Sequence, residues 1–213
     1  MQSIADLRKD YKMRTLLEAD VAADPVEQFS KWWDDALKSG IEEVNAMTLA
    51  TADSNAMPSA RIVLLKDFSK DGFVFFTNYN SHKGQELATN PWACLVFFWK
   101  ELERQVRISG KVKKVSTEAS DEYFASRPEG SRLGAWASPQ SSVIGSREII
   151  EENVAAYRRE YDDADIPRPP HWGGYIVIPG IIEFWQGRSD RLHDRIQYGL
   201  TEEGGWKIER LAP

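Results

Sequence analysis

Cysteine is almost missing from this chain: Cys94 is the single one among 213 residues. A disulfide framework and a cysteine-based zinc site are thereby excluded, and a reducing cytoplasm is the compartment that fits. Cys94 falls in the apolar run Ala93 to Trp99, which predicts a buried structural thiol. Long apolar runs are also lacking. None approaches the ~20 residues needed to cross a bilayer, and Met1-Gln2-Ser3-Ile4-Ala5-Asp6 has no signal-peptide core, so no membrane partner is expected. Positive charge is in deficit, with 27 Lys and Arg against 33 Asp and Glu and a net charge of -6. General nucleic-acid affinity is therefore not expected, and any basic site must be local. The three histidines, His82, His171 and His193, form no metal-binding pair by spacing. A phosphate-binding P-loop, a dinucleotide fingerprint and a Gly-x-Ser-x-Gly elbow are absent too. Redox chemistry would then need an organic cofactor.

What is present is an ordinary globular balance, 42% hydrophobic and 28% charged, rich in Trp, Phe and Tyr. The length suits one domain with helical additions. Residues 1 to 23 read as an N-terminal arm, a helical turn or a flexible segment, and 24 to 213 as the domain. Asp24-Pro25, with Glu27 following, predicts a helix start. Phe29, Trp32, Trp33, Ala36 and Leu37 recur at helical spacing up to Gly40. Strands are predicted at Met47 to Ala52, Met57 to Lys66, Phe73 to Thr77, Ala93 to Trp99 and Arg104 to Val115. The fourth is apolar almost throughout, as if buried on both faces or at a subunit contact, and Gly110 suggests a bulge or bend in the fifth. Ser81 and Ser116 read as caps of helices, and Ser146 to Tyr161 as another helix. Glu129 to Gly145 reads as an ordered loop or a partner-facing excursion. Tyr175 to Ile178, a hairpin around Gly187 to Asp190 and Trp206 to Leu211 complete the strands. Short antiparallel strands with tight turns argue for a mainly β, α+β fold, a closed or half-closed barrel.

Three stretches carry charge in suggestive places. By strand alternation Arg191, His193 and Arg195 share a face and Asp194 points away. Such a face is either a solvated edge or the seat of an anion, for which phosphate is the simplest choice. Arg61 and Lys66 bracket four aliphatic residues, either snorkelling from strand ends or meeting a partner. Ser81-His82-Lys83-Gly84 opens a helix, either as a routine cap or as a phosphate site.

Taken together, Arg61 to Lys66, Glu103-Arg104-Gln105-Val106, Ser126-Arg127-Pro128, Gly134 to Ser138, Gln140-Ser141-Ser142, Phe184-Trp185-Gln186-Gly187, Arg191 to Arg195 and Trp206 to Pro213 resemble the pyridoxine/pyridoxamine 5′-phosphate oxidase family, in order and with matching spacing. The resemblance implies an FMN-binding split β-barrel of Greek-key type with flanking helices. It implies a homodimer with FMN at the interface. The implied reaction oxidises pyridoxamine 5′-phosphate or pyridoxine 5′-phosphate to pyridoxal 5′-phosphate, with O2 reoxidising the flavin to give H2O2. By the family pattern, Arg61, Ile62, Val63, Leu64, Leu65 and Lys66 line FMN, with Phe76, Thr77, Lys83, Gln105, Gln140, Ser141, Trp185 and Arg195. Tyr123, Arg127 and Ser131 would hold the substrate phosphate and Lys66 would approach the substrate. Arg191 and His193, with Leu192 between them, would face its ring as the catalytic pair. Arg8, Lys9, Asp10 and Tyr11 would close over it. One departure stands out: His82 occupies a position where the family commonly has Arg, which puts a phosphate contact in doubt there. Rival readings are another split-barrel flavin-dependent reductase, or a non-enzymatic carrier of FMN or the vitamer.

Overall fold

Asp24 and Pro25 start the first helix as the sequence predicts. The computed structural model, which describes residues 3–6, 9–161 and 165–213, places α1 at Pro25–Lys38. The Asp24 carboxylate accepts from the backbone N–H groups of Val26 and Glu27, at 2.8 and 3.3 Å, satisfying two donors that a helix start leaves without partners. The remaining helices are α2 (His82–Thr89), α3 (Thr117–Ala125), α4 (Glu129–Ala137) and α5 (Glu148–Glu160). The strands are β1 (Ala46–Ala52), β2 (Pro58–Leu64), β3 (Asp67–Ser69), β4 (Gly72–Asn78), β5 (Trp92–Trp99), β6 (Arg104–Lys114), β7 (Trp172–Gln186), β8 (Asp194–Leu200) and β9 (Trp206–Leu211). Among the described residues, hydrogen-bonded neighbours run β2-β1-β5-β6-β7-β4-β3, with β8 on β7 and β9 on β8. No helix among them is long and apolar enough to cross a membrane.

The chain forms two compact units. The first comprises Met1–Leu49, Cys94–Gly110 and Pro179–Pro213. Its core is aromatic. Phe29 of α1 meets Phe97 at 5.3 Å and Trp99 at 6.0 Å between ring centroids, and Trp32 meets Phe184 edge-on at 5.1 Å. Burying one such ring is worth roughly 2 kcal/mol. Leu37, expected on the same stripe, is instead 57% exposed, because it falls at the edge of the helix face that Phe29, Trp32 and Ala36 define. β7 and β8 pair so that Ile182 opposes Tyr198 and Phe184 opposes Ile196, and all four side chains are fully buried. The Tyr198 hydroxyl donates to the Ala22 carbonyl at 2.7 Å, so its polar end is also satisfied.

β5 alternates: Ala93, Leu95, Phe97 and Trp99 are buried, while Trp92 and Phe98 are 58% and 54% exposed. Burial on both faces therefore does not hold within the chain. Cys94 lies on the open side and is only half-buried, not enclosed as expected. β6 runs through Gly110 as one continuous strand.

The second unit comprises Ala50–Ala93 and Lys111–Ile178. Here β4 pairs antiparallel with the first half of β7, from Phe73 opposite Val177 to Asn78 opposite Trp172. Ser81 caps α2 by accepting from the Gly84 N–H at 3.3 Å. Gly84 is required at that place, since a Cβ there would stand 2.2 Å from the Tyr79 carbonyl oxygen. The stretch read as a loop contains α4. Gly130 and Gly134 lower helix propensity, but Leu133 and Ala137, one turn apart, bury themselves and repay the loss through tertiary packing. Leu133 joins a cluster with Phe124, Ile166 and Trp172.

Replacing Asp24 with Ala removes the α1 cap. It is expected to lower unfolding free energy by about 1 kcal/mol, read as a lower urea midpoint with an unchanged slope.

Candidate functional site

β2, β4, α3 and α4 present side chains to one cleft of the second unit, with a volume of about 640 Å³. That is within the range for small-molecule sites. Arg61, Ile62, Val63, Leu64, Lys66, Phe76, Thr77, Lys83 and Gln140 line it, and so do Tyr123, Arg127 and Ser131. All twelve were named from the sequence as flavin or phosphate contacts. Leu65 does not line the cleft: it follows the end of β2 and is buried. Ser141 lies outside the lining as well, in a turn where its φ is +71°. His82 does not line it either. Its Nε2 lies 3.6 Å from a carboxylate oxygen of Glu86.

The lining contains no acidic residue. Among the described residues, Arg61 alone of its cations has a carboxylate partner, Glu86 at 3.2 Å. Lys83 points its ammonium at the hydroxyls of Thr77 and Ser81, at 3.3 and 3.4 Å. Burial, and then the Arg61 charge, pull its pKa down, while Glu86 pushes the other way. The Arg127 guanidinium lies over the Trp172 ring at 4.6 Å, and its Nη1 is buried without a hydrogen-bond partner. Burial lowers the pKa of Arg127, opposed by Tyr123. Lys66 stands 5.9 Å from the centroid of Tyr123, whose ring stacks on Phe76 at 4.0 Å. Hydroxyl, ammonium and guanidinium donors beside aliphatic and aromatic walls suit an anionic ligand that carries a flat ring.

Asn78, Pro128, Gly134, Ala135, Ser138 and Trp172 also line the cleft, and sequence reasoning gave them no role. For most of these the signal was available. Ser131, Gly134, Ala135 and Ser138 repeat at three- and four-residue spacing, one face of α4 running past its end. Reading the segment as a loop concealed that face.

A second cluster lies within the first unit. Lys9, Asp10, Tyr11, Arg188, Asp190, Arg191 and His193 surround a hollow of about 520 Å³. Arg8 lies outside the described residues. Leu192 is exposed and does not line the hollow. Arg191 is not on a strand, contrary to the alternation argument. It ends a 3-10 turn, Ser189–Arg191, with φ of +63°, next to Asp190 at +56°. β8 begins only at Asp194, so Arg191, His193 and Arg195 do not form one strand face. Arg195 is moreover neutralised: its Nε donates to Glu183 at 2.8 Å across the β7–β8 pair. That partner sits twelve residues upstream, on β7. Asp194 does point elsewhere, to Arg210 at 2.8 Å and to the Leu16 N–H at 3.1 Å.

His193 is held on three sides. Its Nδ1 accepts from the Arg188 N–H at 3.1 Å, and its ring lies 4.5 Å from Trp185 and 6.2 Å from Tyr11. Tyr11 in turn packs onto Gly187, where a Cβ would come within 2.5 Å of the ring. Glu103 secures the same segment. Its buried carboxylate accepts from the N–H groups of Lys12 and Met13, at 2.9 and 3.1 Å, and lies 3.4 Å from the Lys9 ammonium. Gln105, also of the first unit, is half-buried on β6.

Comparison with known proteins gives a consistent result. A family described as pyridoxamine 5′-phosphate oxidase matches residues 33–160, and a pyridoxine 5′-phosphate oxidase C-terminal dimerisation region matches residues 172–213. The chain is 58% identical over 212 residues to a pyridoxine/pyridoxamine 5′-phosphate oxidase of Trichormus variabilis, covering 100% of this chain and 99% of that one. It is 58% identical over 213 residues to one from Ralstonia nicotianae, covering 100% of both. Among solved structures, PhzG from Burkholderia lata in complex with tetrahydrophenazine-1-carboxylic acid matches with a TM-score of 0.87 at 30% identity, over 93% of this chain and 98% of that one. A pyridoxamine 5′-phosphate oxidase-related, FMN binding protein from Nostoc punctiforme matches with a TM-score of 0.70 at 18% identity, over 91% and 100%, and shows the fold alone. The fold is thus the mixed α+β split barrel that the resemblance implied.

Burial, and then the charge of Arg191, hold the His193 pKa below its ordinary 6.5. Between that depressed value and 6.5 the unfolded chain binds the proton and the folded chain does not, so this residue's contribution to stability falls as pH drops through the window. Nitrogen-15 NMR should show a neutral His193 at pH 7, protonated on Nε2, with its midpoint under 6.5. An Nδ1-protonated ring would contradict the geometry.

Proposed function

Because the chain belongs to the pyridoxamine 5′-phosphate oxidase family, we propose that it is a cytoplasmic, FMN-dependent homodimeric enzyme that oxidises pyridoxamine 5′-phosphate or pyridoxine 5′-phosphate to pyridoxal 5′-phosphate. One observation carries this reading beyond the family. Among the described residues, a cleft without acids gathers Lys66, Lys83 and Arg127, none of them in an ion pair, and Arg127 Nη1 is a buried donor with no acceptor. FMN and the substrate each bring a phosphate. The residues fit the flavin by donor chemistry as well, since Ile62, Val63 and Leu64 offer apolar surface between the basic ends of their stretch. When bound, FMN would supply the redox chemistry, a two-electron oxidation of the substrate at C4′ with O2 as final acceptor.

In this reading Arg61, Thr77 and Lys83 hold the flavin phosphate. Ile62, Val63, Leu64, Lys66, Phe76 and Gln140 contribute to the rest of the flavin site, with Gln105, Trp185 and Arg195. Tyr123, Arg127 and Ser131 grip the substrate phosphate. Arg191 and His193 orient the substrate ring, and the neutral imidazole is available to accept or relay a proton. Lys9, Asp10 and Tyr11, held by Glu103 and Gly187, are the part of the arm that shields the substrate. Residues 24 to 213 act as one catalytic domain. The matched dimerisation region supports two-fold assembly.

The purified protein should be yellow or take up FMN, and pyridoxamine 5′-phosphate in air should give equal amounts of aldehyde and peroxide. Replacing Arg191 with Leu should cut turnover at least a hundredfold with FMN still bound. A colourless protein that refuses FMN, or one that oxidises other ring systems but not this ester, would overturn the proposal. A second substitution separates binding from folding. Arg127→Met removes a half-buried cation that has no carboxylate partner among the described residues, so the melting temperature should hold or rise. The KM for the phosphate ester should rise at least tenfold. A lowered melting temperature with an unchanged KM would assign Arg127 to structure.

A further inference from the structure

Glu86 is a buried acid that binds Arg61 of this cleft without lining the cleft itself. It sits on α2 with only 3% of its surface exposed. Four groups converge on its carboxylate. The Thr51 hydroxyl donates to Oε2 and the Ser59 hydroxyl to Oε1, each at 2.6 Å. Arg61 Nη2 donates to Oε2 at 3.2 Å, and His82 Nε2 approaches Oε1 at 3.6 Å. The same two hydroxyls accept from Arg61, Thr51 from Nη1 and Ser59 from Nη2. β1, β2 and α2 are thereby tied together around a single guanidinium.

The protons in this network have little choice. A guanidinium only donates, an ionised carboxylate only accepts, and each hydroxyl has one proton. Thr51 and Ser59 must therefore turn their protons toward Glu86 and their lone pairs toward Arg61. The carboxylate thus fixes the hydroxyls, and the hydroxyls fix both arms of the guanidinium fork. Burial by itself would raise the Glu86 pKa, but donation from Ser59 and Thr51 and the charges of His82 and Arg61 outweigh it, keeping the group ionised. Glu86 also offsets the repulsion that Arg61 exerts on Lys83 in the same cleft.

We propose that Glu86 is a positioning residue for flavin phosphate binding: acting through Thr51 and Ser59, it locks the Arg61 guanidinium in the orientation that grips the phosphate. This rests on the reading of the cleft as the flavin site. A glutamine in its place would turn an NH2 group toward one hydroxyl and leave that hydroxyl's proton without an acceptor, so the lock would open on one side.

The test is a set of FMN titrations on full-length protein stripped of flavin, followed by quenching of flavin fluorescence. Glu86→Gln should raise the FMN Kd roughly tenfold, the loss of one charge-assisted contact. Arg61→Lys keeps the charge but loses the fork. In that background Glu86→Gln should change Kd less than twofold, because the residue it acts through is already gone. Ser59→Ala, a milder change that spares the buried acid, should weaken FMN in the same direction and serves if Glu86→Gln does not fold. Unchanged or tighter FMN binding in both Glu86→Gln and Ser59→Ala overturns the inference. So do penalties from Glu86→Gln and Arg61→Lys that simply add, which would make Glu86 a general structural support. If the unaltered protein binds no FMN, the flavin reading falls and this inference with it. If it binds FMN but is indifferent to Glu86 and Ser59, only this inference falls.

Discussion

Positive charge held in one cleft without acids of its own is the constraint from which the rest follows. A cation taken partly out of water costs several kcal/mol unless something answers it. In the second unit the answers from within the chain are incomplete. Trp172 offers Arg127 the face of its ring, Tyr123 does the same for Lys66, and hydroxyls receive Lys83. Among the described residues only Arg61 has a carboxylate, and that carboxylate is kept behind the lining. A fold optimised for stability alone would have placed acids in the cleft. Leaving them out preserves the electrostatic attraction for a doubly anionic guest such as a phosphate ester.

The backbone was legible wherever local chemistry decided it. Asp24-Pro25, Ser81 and Ser116 announced helix starts through capping, and the caps are in place. The last strand, Trp206 to Leu211, was equally plain. α4 was not, because Gly130 and Gly134 argue against a helix locally and only the burial of Leu133 and Ala137 favours one. Likewise, nothing within the run Ala93 to Trp99 told which face would be covered. Its composition is apolar on both sides, and the neighbours that cover one of them come from α1.

The cleft was legible for a different reason. The family resemblance marks short runs, and Arg61 to Leu64 with Lys66, and Arg127 with Pro128, line it from neighbouring positions. The hairpin around Gly187 misled where it depended on regular alternation. Two successive residues with positive φ, Asp190 and Arg191, break the strand period, and no residue type there demanded it. The neutralisation of Arg195 by Glu183 was hidden by the same limit, since cross-strand partners follow from register and register was not known.

Glu103 carries a consequence for the ends of the chain. Its carboxylate is interior, and the donors named above that satisfy it all come from Lys9, Lys12 and Met13. Trimming the terminus past Met13, whether by a protease or by the choice of a start codon, would leave a bare anion within the molecule. Residues 9 to 13 are therefore not disposable: they act as a plug whose loss would be felt by the residues it seals.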